Sequence, residues 1–305
     1  MPNHRLQRAR QSLLGLSLGD ALGSQFFVPA NRRHLASRTV PPGPWPWTDD
    51  TEMACSVYLT LAVHGTIDQD ALAASFARRH DFDRGYGPAT GRMLRLVREG
   101  GDWRSLASDL FGGSGSWGNG AAMRVAPLGA YFADSGDGSP AALDQVAAEA
   151  AASAQVTHTH PEAVAGAIAV AVAANLAVSR PELVGEALLR AVAECTPEGL
   201  VRDGLANAVA LLPASDPLAA AKVLGNGRAT SAPDTVPFCL WVAAKHPRSF
   251  ADAFWAAASA GGDVDTNCAI VGGIIASRTG IAGIPAEWLR RCEPLPEWAG
   301  LDSQS

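Results

Sequence analysis

Asp263-Val264-Asp265-Thr266-Asn267-Cys268-Ala269-Ile270-Val271-Gly272-Gly273-Ile274-Ile275-Ala276 is acidic at its head and apolar on every side thereafter. A helix without a polar face has nothing to present to water, so Ala269 to Ala276 reads as a buried central helix. Gly272-Gly273 lets a neighbouring backbone approach it closely. An all-α fold is the expectation that this stretch sets for the chain. Thr48-Asp49-Asp50 repeats the design far upstream: an acidic head, then Met53, Val57 and Leu61 recurring every four residues along one helix face.

Helix punctuation continues outward from these two segments. Ser139-Pro140, His160-Pro161, Arg180-Pro181 and Asp216-Pro217 place proline where a first helical residue needs no N–H. Gly65, Gly225 and Gly280 follow apolar runs, as C-terminal caps do. Convincing alternating strands are absent. Val28 to Trp47 reads as a long Pro-rich loop, a candidate lid, with plain surface packing as the competing reading. Glu293 to Ser305 reads as a flexible tail, and residues 1–305 as a single domain.

The 305 residues carry a net charge of −6, which argues against nucleic acid as the primary partner. Apolar residues make up 48% and aromatics only 7%, with much of the remainder alanine, so closely packed helices are expected. Cys55, Cys195, Cys239, Cys268 and Cys292 show no Cys-x-x-Cys spacing and are odd in number. They read as small hydrophobes in a reducing, cytoplasmic setting. The N-terminal stretch is amphipathic rather than a signal peptide, and the apolar run Ala163 to Val178 is short for a bilayer, so no membrane association is expected.

Carboxylates and threonine hydroxyls are the hard oxygen donors that Mg²⁺ and Mn²⁺ prefer. If the fold joins the two acidic heads, Thr48, Asp49 and Asp50 meet Asp263, Asp265 and Thr266, and two divalent cations are the natural counter-charge. Helix capping is the ordinary reading of either head alone. Capping needs one acceptor, however, and gives no reason for adjacent aspartates to repel one another.

A second constellation, Gly112-Gly113-Ser114-Gly115-Ser116-Trp117-Gly118-Asn119-Gly120, runs into an apolar segment with Arg124. Glycines there free backbone N–H groups for a phosphate or ribose, and a helix starting near Asn119 would aim its positive end at the same place. Arg124 reads either as a further anion contact or as a carboxylate's partner. In Thr157-His158-Thr159-His160-Pro161, His158 is a candidate for phosphate or ribose and His160 a structural hydrogen-bonder. No third ligand at zinc spacing accompanies the pair.

Gly19-Asp20-Ala21-Leu22-Gly23, Trp47-Thr48-Asp49-Asp50-Thr51-Glu52-Met53-Ala54, Gly118-Asn119-Gly120-Ala121-Ala122-Met123-Arg124-Val125-Ala126-Pro127-Leu128-Gly129, Thr157-His158 and Gly262-Asp263-Val264-Asp265-Thr266 occur in this order. From about Leu13 to Ser277 the chain resembles the ADP-ribosylglycohydrolase family, which includes the dinitrogenase-reductase-activating glycohydrolases and the ADP-ribosyl-acceptor hydrolases. The resemblance implies an orthogonal helical bundle with a binuclear Mg²⁺ or Mn²⁺ site at one end. It implies Thr48, Asp49, Asp50, Asp263, Asp265 and Thr266 as metal ligands, with Asp20 supporting them. Gly115, Ser116, Trp117, Gly118, Asn119, Gly120 and His158 would bind the diphosphate and ribose of ADP-ribose.

The implied activity is a metal-dependent glycosidase reaction on an ADP-ribosylated protein or small ADP-ribose conjugate, linked through arginine, serine or an O-acyl group. Asp49 or Asp50 would take the proton from water. One position departs from the family pattern: Phe27 stands where many members carry a glutamate that serves catalysis in some. Glu52, Asp81 and Asp83 are the replacement bases considered, beside a metal-bound carboxylate; arginine pairing is preferred for the two aspartates, while for Glu52 the helix face nearest the site and a solvated surface both stand open. Phe27 also motivates the alternative of an ADP-ribose-binding module without turnover. His80-Asp81 motivates a His-Asp metal phosphohydrolase, although no convincing partner histidine precedes it.

Overall fold

The computed structural model describes residues 4–133, 138–214 and 216–300. Among them, 17 α-helices and no strands occur, and 71% of these described residues are helical when short 3-10 turns are counted. In chain order they are α1 (His4–Ser24), α2 (Arg32–Ser37), α3 (Asp49–His64), α4 (Gln69–Arg79), α5 (Pro88–Arg98), α6 (Trp103–Ser108), α7 (Leu110–Gly113), α8 (Ala126–Tyr131) and α9 (Pro140–Gln155). After these come α10 (Pro161–Ser179), α11 (Gly185–Cys195), α12 (Leu200–Ala210), α13 (Pro217–Leu224), α14 (Ala232–Lys245), α15 (Phe250–Ser259), α16 (Val264–Thr279) and α17 (Ala286–Leu289).

The all-round apolar segment is α16, buried from Thr266 to Ser277. Its main partner is α1, and the contact is backbone on backbone. A methyl group at Gly15 would overlap the Gly272 carbonyl, and one at Gly19 would overlap the Cys268 carbonyl. Farther along, a methyl at Gly23 would come within 2.8 Å of Asp265 Cα. Glycine at every fourth residue thus lines one face of α1 and lets α16 lie against it. Ser12 Oγ donates to the Gly273 carbonyl across the same contact, at 2.9 Å.

The other elements wrap this pair. Helix α10 is the one described helix long and apolar enough to cross a membrane, and it lies buried among α8, α9, α14 and α16. Its single amide, Asn175, donates to the Gly129 carbonyl at 3.2 Å, so a buried polar group is satisfied at a tight crossing. At the end of α1, Phe26 packs on Phe254 and Trp255 with ring centroids 6.4 and 6.0 Å apart.

Several expectations hold at the level of single residues. Pro140, Pro161 and Pro217 open α9, α10 and α13, and Gly65, Gly225 and Gly280 follow α3, α13 and α16. All five cysteines are free thiols. Pro181 differs: it lies in a turn, and the next helix starts only at Gly185. The Pro-rich segment is not one long loop either. Pro29–Asn31 forms a 3-10 turn, α2 follows it, and Trp45 and Trp47 are buried. Packing rather than a lid accounts for those tryptophans, since their indole N–H groups are tied to the Pro41, Pro42 and Pro294 carbonyls.

The expected tail needs a similar correction. Glu293 receives two 2.8 Å bonds from Arg84, whose guanidinium lies 3.4 Å from the Trp47 ring centroid. Ala299, in the short turn Glu297–Ala299, is buried. The segment is therefore pinned through Gly300, whereas Leu301–Ser305 lie outside the described residues.

Gly19→Ala tests the α1–α16 contact. The added methyl has no low-energy site, so a loss of roughly 1–3 kcal/mol is expected, the usual cost of overpacking. Urea unfolding of the variant beside the wild type measures it. A surface variant such as Gly100→Ala provides no control, because Gly100 has φ +98°; Ser37→Ala on exposed α2 does.

Candidate active site

Asp20 from α1 reaches the first turn of α3. Its Oδ2 accepts from Thr48 N at 2.9 Å, Thr51 N at 3.1 Å and Thr51 Oγ1 at 2.5 Å, and its Oδ1 accepts from Thr48 Oγ1 at 2.7 Å. The N–H groups that a helix leaves orphaned at its start are thus capped by another helix. Neither Thr48 nor Asp263 caps its own helix with its side chain. Capping therefore does not explain the two acidic heads.

The heads meet. One carboxylate oxygen each from Asp20, Asp50 and Asp265 lies within 4.8 Å of the others. Asp50 Oδ1 is buried and accepts no hydrogen bond, an orphan that costs free energy unless a cation or proton meets it. The donor set is all hard oxygen, so these residues fit Mg²⁺ or Mn²⁺ and not a soft metal. Asp263 Oδ2 is held by Asn119 Nδ2 at 2.7 Å, and Asn119 also donates to Thr235 Oγ1 at 3.1 Å.

A cleft of about 470 Å³ opens above these groups. Asp49, Asp50, Asp263, Asp265 and Thr266 line its floor, Ser116 to Gly120 and His158 one wall, and Gly85 with Gly87 to Thr90 the other. Gly115 is not among the lining residues. It turns the chain at φ +71°, where a side chain would run into Thr159, so its part is structural. Trp117 is half-exposed at the mouth and meets the His160 ring edge-on at 5.9 Å.

The family model of the ADP-ribosylglycohydrolases matches residues 1–303. The chain belongs to the ADP-ribosylglycohydrolase family. Among its relatives, the ADP-ribosylarginine hydrolase Tri1 of Pseudomonas putida is 29% identical over 95% of this chain and 75% of its own length. The ADP-ribosylhydrolase ARH3 of Danio rerio is 28% identical over 97% of this chain and 89% of its own length. A solved chain from an ADP-ribosylglycohydrolase-related protein complex superposes with a TM-score of 0.68 at 27% identity, covering 97% of this chain and 96% of that one. This glycohydrolase is accordingly a hydrolase enzyme that acts on ADP-ribosyl groups.

Three sequence readings around the glycohydrolase's cleft change in the structure. The segment after the glycine-rich loop begins as a 3-10 turn, Asn119–Ala121, and α8 starts only at Ala126, so no α-helix N-terminus points from Asn119. Arg124 does not line the cleft and bonds to no carboxylate. It is wholly buried and donates to the Gly120 and Ser153 carbonyls and to Thr157 Oγ1. Glu52 is buried rather than solvated, and accepts from Tyr86 Oη at 2.7 Å and Asp81 N at 3.1 Å. Asp81 pairs with Arg84 at 3.8 Å, and the His80 ring packs edge-on against Tyr86. Among the described residues, His80 and Asp81 belong to no metal-binding cluster. His160 caps α10 by accepting from Glu162 N.

Asp20, expected as a support, both braces the first turn of α3 and belongs to the carboxylate cluster. Two cleft segments escape the sequence reading: Gly85 to Thr90, and Ala229-Thr230, where Thr230 sits at φ +50°. The dense turn residues in Gly85-Tyr86-Gly87-Pro88 and Gly225-Asn226-Gly227 are the available signal.

The buried aspartates at the cleft floor all titrate high. Burial first, then the charges of Asp20 and Asp265, push Asp50 well above the carboxylate range. Burial and Asp263 do the same to Asp265, and burial raises Asp20 and Asp263 despite their hydrogen bonds. Asp49 is pushed up to about 8, by burial and by Asp20. Without a counter-charge the folded protein holds that proton, whereas the unfolded chain releases it near pH 4. Metal-free stability should therefore fall as pH rises from about 4 through about 8, because the folded state binds more protons in that window. Saturating Mg²⁺ or Mn²⁺ should reverse the trend, with a gain of about 2.7 kcal/mol at a hundredfold excess over Kd. Thermal melts across pH, with EDTA or with metal, read both effects.

Proposed function

We propose that this glycohydrolase hydrolyses the bond between the anomeric carbon of the distal ribose of ADP-ribose and its acceptor, using two divalent cations. Arginine-linked ADP-ribose is the first substrate class, with serine- and O-acyl-linked conjugates next. The observation that carries the reading is the convergence of Asp20, Asp50 and Asp265 at the cleft floor, with one Asp50 oxygen buried and unpartnered. The named activity of the Tri1 relative supports the arginine linkage.

In this reading Thr48, Asp49, Asp50, Asp263, Asp265 and Thr266 hold Mg²⁺ or Mn²⁺. When bound, such cations supply Lewis-acid polarisation and a water acidified toward neutrality. The remaining work falls to the chain. Asp20 orders the first turn of α3 through its four hydrogen bonds, and Asn119 fixes the Asp263 carboxylate. Ser116 to Gly120 and His158 take the diphosphate and ribose along one wall. Asp49 or Asp50, once ionised, accepts a proton from the attacking water. The water oxygen bonds to the anomeric carbon, the bond to the acceptor breaks, and the acceptor leaves with a proton. Positive charge gathers on the ribose ring meanwhile, as in other glycoside hydrolyses, and the carboxylates beneath it are of the right sign to stabilise it.

A panel of arginine-, serine- and O-acetyl-linked ADP-ribose with added Mg²⁺ or Mn²⁺ tests the assignment. Asp263→Asn should lower kcat/KM by about a hundredfold or more, and Asn119→Ala by roughly 10- to 100-fold through loss of the bond that orients Asp263. Full activity in Asp263→Asn would refute the metal assignment.

A further inference from the structure

Arg124 is a buried cation with no carboxylate bonded to it; Asp49 acts on it only through space. It is fully excluded from water, its guanidinium lies 4.6 Å from the Phe76 ring centroid, and Nε has no hydrogen-bond partner. Burial pulls its pKa down to about 9, so holding it there is costly. One of its bonds leads toward the cleft. Nη1 donates to Thr157 Oγ1 at 3.0 Å, and Thr157 Oγ1 lies 2.7 Å from His158 Nδ1.

The direction of the second bond follows from the first. A guanidinium only donates, so Thr157 Oγ1 accepts from Arg124. The hydroxyl then has one proton and one remaining partner, His158 Nδ1. Accepting from the imidazole as well would strand that proton in a wholly buried site, at the cost of an unmade hydrogen bond. Thr157 therefore donates, Nδ1 accepts, and the imidazole proton resides on Nε2. Nε2 faces the substrate wall: methyl groups at Gly118 or Gly120 would stand 3.1 or 3.0 Å from it, so both glycines keep that edge open. Burial, and then the charge of Arg124, hold the imidazolium form down at about 3.

We propose that Arg124 and Thr157 are positioning residues that lock His158 as the neutral Nε2–H tautomer, making the ring a fixed, uncharged hydrogen-bond donor to an oxygen of the ADP-ribosyl group. The lock rests on the proposed seating of ADP-ribose against this wall. It gives the buried guanidinium a role, because its charge orients one hydroxyl and the hydroxyl orients the ring. His158 then contributes binding and alignment, and proton transfer stays with the carboxylates.

Long-range proton–nitrogen correlation spectra of the protein labelled with nitrogen-15 histidine test the lock, with the His158→Gln spectrum assigning the resonances. The expected result is a protonated Nε2 and an unprotonated Nδ1 in the wild type. Thr157→Ser, which restores the hydroxyl, should keep that signature, and Thr157→Val should lose it to an averaged or reversed pattern. Calorimetric affinity for ADP-ribose should fall roughly tenfold in Thr157→Val and in His158→Ala, the loss of one hydrogen bond to a charged acceptor. Thr157→Ser should recover it.

A protonated Nδ1 in the wild type overturns the lock. So does a folded Thr157→Val protein that keeps both the wild-type signature and the wild-type affinity. Unchanged affinity in His158→Ala with the signature present instead overturns the seating of ADP-ribose on this wall.

Discussion

Everything at the cleft depends on two backbones touching. The glycine face of α1 lets α16 lie against it without intervening side chains, and a methyl at Gly23 would come within 2.8 Å of Asp265 Cα. That approach carries Asp20 and Asp265, distant in sequence, to within reach of Asp50. Larger residues on α1 would hold the helices apart and leave the acidic turns separated. Packing and chemistry share one constraint.

The same contact concentrates charge. Five carboxyl groups, Asp20, Asp49, Asp50, Asp263 and Asp265, gather where solvent is scarce, and burial raises every one of them. A fold selected for stability alone would have no such cluster, since like charges in a low dielectric repel strongly. The surrounding bundle tolerates it because the first turn of α3 draws its capping bonds from Asp20, and because Asn119 ties Asp263 down. Polar groups set back from the cleft floor hold in place the ones that face it.

Much of this is legible in the chain before it folds. The apolar stretch Ala269 to Ala276 announces a buried helix, and prolines and glycines mark ends of α9, α10, α13 and α16. The paired acidic heads and the glycine-rich wall stand out because metal and phosphate chemistry restrict residue type at short spacing. Arg124, Glu52 and Glu293 do not. Local composition makes Arg124 look like an anion or carboxylate contact, Glu52 like a solvated charge and Glu293 like part of a tail, whereas long-range partners settle their roles: Thr157 for Arg124, Tyr86 for Glu52, and Arg84 for Glu293. The tryptophans of the Pro-rich segment mislead for the same reason, since a loop-like sequence can still be pinned by a distant segment such as Pro294.

The helical class, the two acidic turns and the family are written in runs of neighbouring residues, because hydrophobic period, capping chemistry and ligand type are local properties. That Asp20 joins Asp50 and Asp265, and that Asn119 serves Asp263, emerges only when the helices pack. So does the buried arginine standing behind His158. Those relations join residues on different elements, and their distances are set by how closely the helix axes approach, which no local pattern encodes.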